Sequence, residues 1–351
     1  MRNPTNVRKL LSICLTVLLF LVATISRADA QDREYLHLVQ TIPLPNVKGR
    51  MDHLGVDIKG KRLFAAALDN NTVEVIDLKA GKRVFSIPGQ SKPQGIFYST
   101  DFKKLFVANG IEGTCKIYSG GKFKLIDNLA LGTNPNHVGY DPATKYLYVG
   151  IGIPDSEAGA LAIIDTRNNK HIGDIKTDAR PGGVKIEKPG PRIFVTLRGL
   201  PKLGVIDRKK REEITTWPVT GAPSIVALAF DETHRRLFGG TRNPLLLVFD
   251  AESGKQITQL EGVAGIDDLW YDAARKRIYA SGGRESDAGT IPGFVYVYQQ
   301  SDADHYELIA KVPTRPNSQT SIWVPQLNRY YVSASANDKE DAAILVFEPQ
   351  P

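Results

Sequence analysis

Five side chains in this sequence could do chemistry together: His53 and His137, with Asp52, Asp267 and Asp268. Imidazole nitrogens and carboxylate oxygens are ligands for divalent cations, and the same groups act as general acids and bases near neutral pH. No contiguous motif accompanies them. The chain has no Gly-x-Ser-x-Gly, no His-Glu-x-x-His and no Cys-x-x-Cys-His, so it carries no linear signature of a serine nucleophile, a zinc helix or a haem attachment. Any site must be assembled by a fold that gathers distant residues.

That fold is written in a repeat. Arg62-Leu-Phe-Ala, Lys104-Leu-Phe-Val, Tyr146-Leu-Tyr-Val, Arg192-Ile-Phe-Val, Arg236-Leu-Phe-Gly, Arg277-Ile-Tyr-Ala and Arg329-Tyr-Tyr-Val follow one another at spacings of 42, 42, 46, 44, 41 and 52 residues. Strand-rich repeats of this length form radial arrays. Within the first copy, Leu54–Asp57, Arg62–Ala67, Thr72–Asp77 and Arg83–Ile87 alternate as strands do, separated by turn residues. Four strands joined by tight turns make one propeller blade. The third strand ends in Asp77, Asp165, Asp207 and Asp250 in four copies, where a carboxylate can accept hydrogen bonds from the turn that follows. The seventh copy ends after its third strand, whereas an unassigned strand, Tyr35 to Pro43, precedes the first. Pairing the two closes the ring and removes two sheet edges. The expected fold class is therefore all-β, a single seven-bladed propeller over residues 31–351 with essentially no helix.

The chain resembles the exported bacterial YVTN-repeat (YncE-like) β-propeller proteins over about Tyr35 to Phe347. The resemblance rests on Lys104-Leu-Phe-Val-Ala-Asn109, on Tyr146-Leu-Tyr-Val-Gly150, and on Pro93-Gln-Gly95 and Pro135-Asn136 before inner strands. It implies a propeller; the group does not imply one activity.

Counting nine residues back from each anchor predicts a ring at the channel mouth: His53, Gly95, His137, Gly183, Ala227, Asp268 and Thr320. One residue earlier lie Asp52, Gln94, Asn136, Gly182, Val226, Asp267 and Gln319. The histidines and aspartates sit on blades one, three and six, so long reach would be needed to bring them together. Asp52, His53, Gln94, Asn136, His137, Arg180, Asp267, Asp268 and Gln319 are the candidate ligand-binding residues. No residue is assigned a catalytic role, and the metal and cofactor are left unknown. His37, His171, His234 and His305 fall in outer strands or turns and are expected at the surface. Three loops between second and third strands carry acid: Asp155 and Glu157, then Glu285 and Asp287, then Asp338, Glu340 and Asp341. They predict an acidic rim suited to a cation or a basic partner, partly offset by Arg50, Lys92, Arg180 and Arg315.

Residues 1–30 have the form of a secretory signal: Arg2, Arg8 and Lys9, an apolar run from Leu10 to Thr24, then Ala28-Asp29-Ala30. Its removal takes four basic residues and one acidic residue, lowering the net charge from +7 to +4. That excess, unclustered in sequence, does not point to nucleic acid. Cys115 is then the sole cysteine, expected as a small buried hydrophobe. The sequence thus predicts a periplasmic or secreted monomer without a stable membrane anchor, binding a partner protein or small ligand at its loop-rich channel face without catalysis. The alternative is a metal-assisted lyase or lactone hydrolase using His53, His137 and Asp268. A quinone-dependent dehydrogenase fits less well, because such propellers stack tryptophans and only Trp217, Trp270 and Trp323 exist here.

Overall fold

The computed structural model describes residues 34–286 and 289–351; the expected secretory signal lies outside them. Seven four-stranded antiparallel sheets form the blades. Blade one is Leu54–Asp57, Arg62–Ala67, Thr72–Asp77 and Lys82–Ile87, as the sequence predicts. The ring closes as expected: Leu36–Leu44 pairs antiparallel with Ala342–Pro349 and becomes the outer strand of blade seven. Among the described residues the one helical element is a 3₁₀ turn, Pro325–Leu327, and no helix is long and apolar enough to cross a membrane.

The repeat has a packing reason in each of its letters. Side chains of successive strand residues point to opposite faces. The branched or aromatic residue after each anchor therefore faces the preceding blade, and the aromatic after that faces the next. Leu105 packs with Phe64 and Val75 of blade one, whereas Phe106 packs with Leu147 and Val149 of blade three. The same alternation holds around the ring, giving seven apolar clusters, one in each gap between blades. Cys115 is buried in one of them, and burial pushes its thiol up to about 12.

In five blades the basic anchor is a clamp to the next blade, whereas Arg329 pairs with Glu348 of its own blade seven. Arg62 donates to the Gly120 carbonyl at 2.6 Å, in the outer turn of blade two. Lys104 donates to the Thr166 and Arg167 carbonyls of blade three, and Arg192 to the Ala251 carbonyl of blade five. Arg236 pairs with Asp304 of blade six, and Arg277 with the Gln350 carbonyl of blade seven. Blade three inverts the roles, because Tyr146 stands at the anchor and Arg211 of blade four lies over its ring. The aspartates ending third strands cap their turns as expected: Asp77 accepts from the Lys79 and Ala80 amides, and Asp207 from Lys209 and Lys210.

Ile42, in the closing strand, is 1 % exposed and packs in the gap between blades seven and one. Ile42→Ala should cost about 2–5 kcal/mol in urea unfolding. A loss under about 0.5 kcal/mol, as for a surface substitution, would mean that this strand does not close the ring.

Candidate ligand site at the channel mouth

The inner strands surround a narrow axis. Glycine at Gly95 lets blades two and three approach there, since a Cβ would collide with the Asn136 carbonyl. The narrowness removes the need for long reach that the sequence suggested. His53 and His137, from blades one and three, have ring centroids 4.3 Å apart. His53 Nδ1 lies 3.1 Å from Asp268 Oδ2, and its Nε2 lies 3.5 Å from Asp52 Oδ1. Asp268 Oδ2 also accepts from the Ser321 amide at 2.9 Å, so blades one, three, six and seven meet in one polar layer.

The two imidazoles carry opposite protonation preferences. Burial opposes a charge on His53, but Asp268 and Asp52 outweigh it and raise the imidazolium to about 10. His137 is driven well below the usual histidine value, first by burial and then by the cation on His53. Both of its ring nitrogens are buried without a hydrogen-bond partner. The Asp52 carboxyl is raised by burial against the pull of His53 and Arg50.

Spaces open on both sides of this layer, and His137 and Asp267 line both. The inner one, about 260 Å³, is walled by inner-strand residues such as Val56, Ile96, Leu228 and Leu269, with Lys185. Lys185 lies over the Trp270 ring at 4.6 Å, and the Trp270 indole donates to the Ser321 carbonyl. The outer one is the mouth, about 460 Å³, on the face of the loops leading into inner strands and joining second to third strands. Gln94, Asn136, His137, Arg180 and Asp267 line it.

Not every expected residue reaches a space. Asp52 is 1 % exposed and serves as partner to His53 and Arg50; Gln319 is 2 % exposed behind the wall and lines neither space. Gln94 donates to Asn134 Oδ1 at 2.7 Å and lies partly behind the mouth. His37 and His305 are exposed, but His171 and His234 are half-buried against Asp174 and Asp231.

The acidic rim is a correction. Arg50, Lys92, Arg180, Arg198, Arg242 and Arg284 line the mouth, with Asp267 the one carboxylate among its described lining residues. Glu340 is instead paired with Arg315 at 3.2 Å, and Asp155, Glu157 and Asp338 are not among the residues that line the mouth. The third-strand side of the blade-six loop is not free loop but an extension of the hairpin, Arg277–Ser286 against Gly289–Gln300; the side chains of Glu285 and Asp287 lie outside the described residues.

No protein-family model and no curated protein sequence matches this chain. A solved structure described as "Crystal Structure of Mitotic Checkpoint Complex" superposes with a TM-score of 0.74 at 13% identity, over 92% of this chain and 94% of that chain. At that identity the likeness shows the fold alone. The chain is a seven-bladed β-propeller.

Replacing His53 by Gln leaves Asp52 and Asp268 without their buried cation and should cost about 3–5 kcal/mol of stability at neutral pH. The wild-type contribution of this raised imidazolium is complete below the unfolded value of about 6.5 and is lost as pH rises through about 10. His137 acts with the opposite sign: only the unfolded chain takes its proton, so stability falls as pH drops below about 6.5. Urea unfolding across pH should show that acid limb flattened in His137→Asn; an unchanged limb would mean that His137 titrates normally.

Proposed function

We propose that this chain is an exported β-propeller of the YVTN-repeat kind that binds a small ligand, without catalysis, at the loop-bearing mouth of its channel. One observation carries the reading. Asn136 Oδ1, both ring nitrogens of His137 and Arg50 Nε are buried without partners, and all three residues line the mouth. Buried polar atoms are ordinarily satisfied, so unsatisfied ones at a concave surface suit a ligand or ordered water. A space of about 460 Å³ falls within the range of small-molecule sites. Export and monomeric state belong to the same proposal and rest on the sequence.

Screening the mature protein by thermal shift against small metabolites tests it. A ligand that stabilises the wild type should bind Asn136→Leu about tenfold more weakly, through loss of one hydrogen-bond acceptor at nearly constant volume. Unchanged binding would put the site elsewhere.

The metal-assisted lyase or lactone hydrolase is favoured by a different observation: His53, His137 and Asp268 each offer a ligand atom within 4.8 Å of the others. A cation there would have to displace the proton that His53 holds between two carboxylates. Elemental analysis and native mass spectrometry of protein never exposed to chelator decide it. A stoichiometric divalent ion, lost in the His53→Ala/His137→Ala double variant, would support this second reading; wild-type protein without one would remove it.

A further inference from the structure

The mouth holds a charge excess that its hydrogen-bonding groups do not explain. Six cations line one recess of about 460 Å³. Arg50 is matched by Asp52 at 3.0 Å, and Arg242 lies 3.8 Å from Asp267. Among the described residues no carboxylate pairs with the side chains of Lys92, Arg180, Arg198 or Arg284. Arg180 donates only to the Asn134 carbonyl, at 3.1 Å. These four come from the lead-in of blade two, from two loops of blade four and from the hairpin of blade six, so they encircle the recess.

Their closeness has an energetic signature. Desolvation, then Arg198, pushes Arg180 down to about 10. Desolvation, then Arg242, lowers Arg198 as well. Guanidinium does not lose its proton in proteins, so the repulsion stays as a destabilising term that an anion would remove. Guanidinium forks match carboxylate and phosphate oxygens in bidentate geometry, and a cleft lined by one sign of charge concentrates the opposite ion. The cations bound a bowl, which suits a compact molecule better than a strand laid along a basic stripe.

We infer that the mouth is a binding site for a small polyanion, a molecule with two or more carboxylate or phosphate groups, gripped by Lys92, Arg180, Arg198 and Arg284. The inference rests on the mouth being the ligand site and gives that ligand its chemical class.

Isothermal titration of the mature protein with citrate and, separately, with inorganic pyrophosphate tests it. At least one should bind one-to-one at low salt. Arg198→Gln and Arg284→Gln should each weaken it about ten- to hundredfold, and Lys82→Gln on an outer strand should not. Binding of citrate alone assigns a carboxylate ligand, and of pyrophosphate alone a phosphate ligand. Arg198→Gln without ligand should melt at or above the wild-type temperature, because repulsion has been removed; a purely structural arginine would lower it. Absence of binding by both anions overturns the inference, as does equal weakening by Lys82→Gln, which would mean diffuse surface charge. Tighter binding of a single-stranded oligonucleotide, lost in the same variants, would replace the small ligand with a polymer. A neutral compound sensitive to Asn136→Leu but not to Arg198→Gln would leave the mouth as a ligand site and reject the polyanion.

Discussion

Closure of the ring by Leu36–Leu44 against Ala342–Pro349 is the constraint on which the remaining structure depends. Each blade buries both faces against its neighbours, through seven apolar clusters in seven gaps. A ring missing one such contact loses the closure that fixes its circumference. Closure also sets the channel radius, and the radius decides whether His53 and His137 touch. Their 4.3 Å separation is thus a consequence of strand pairing at the far edge of blade seven. Five of the basic anchors, Arg62, Lys104, Arg192, Arg236 and Arg277, work in the same direction, tying one blade to the outer edge of the next.

Inside that ring, charge is sorted by depth. A cationic His53 is held between Asp52 and Asp268, with neutral His137 beside it. The cation prevents the two carboxylates from repelling each other in a desolvated layer, and burial, reinforced by that cation, keeps the second imidazole neutral. Toward the solvent, the arginines and Lys92 have too few carboxylates to match them. The inner layer is close to self-compensated and the mouth is not, which is why the mouth, rather than the histidine layer, carries the ligand proposal.

The architecture was legible because its signals are periodic. The spacing of anchors gave seven blades, the missing fourth strand gave the closure, and counting nine residues back placed His53, His137 and Asp268 on the axis. The contact between those residues was not legible, since periodicity says nothing of channel radius. The mouth charge was misjudged because acidic residues were counted wherever second-to-third loops were long. Arg198 and Arg242 each stand six residues after their anchors, on short loops that turn inward. Arg284 stands seven after its own, the register being shifted by a bulge between Gly282 and Arg284. Counting forward by six, as well as back by nine, would have found Arg198 and Arg242; the bulge hides Arg284 from the same count. The clamp role of the anchors was hidden for a related reason: the partners they reach in the next blade are backbone carbonyls or turn residues, which leave no pattern of side-chain types.

Nitrogen-15 NMR of the histidine rings tests this account most directly, because it reads the protonation of each imidazole where it sits. The account predicts that His53 is an imidazolium at neutral pH, titrating near 10, while His137 stays neutral well into the acid range. Two rings titrating independently near the ordinary value of about 6.5 would contradict it, and would mean that the ring does not hold blades one, three and six around a common charged layer.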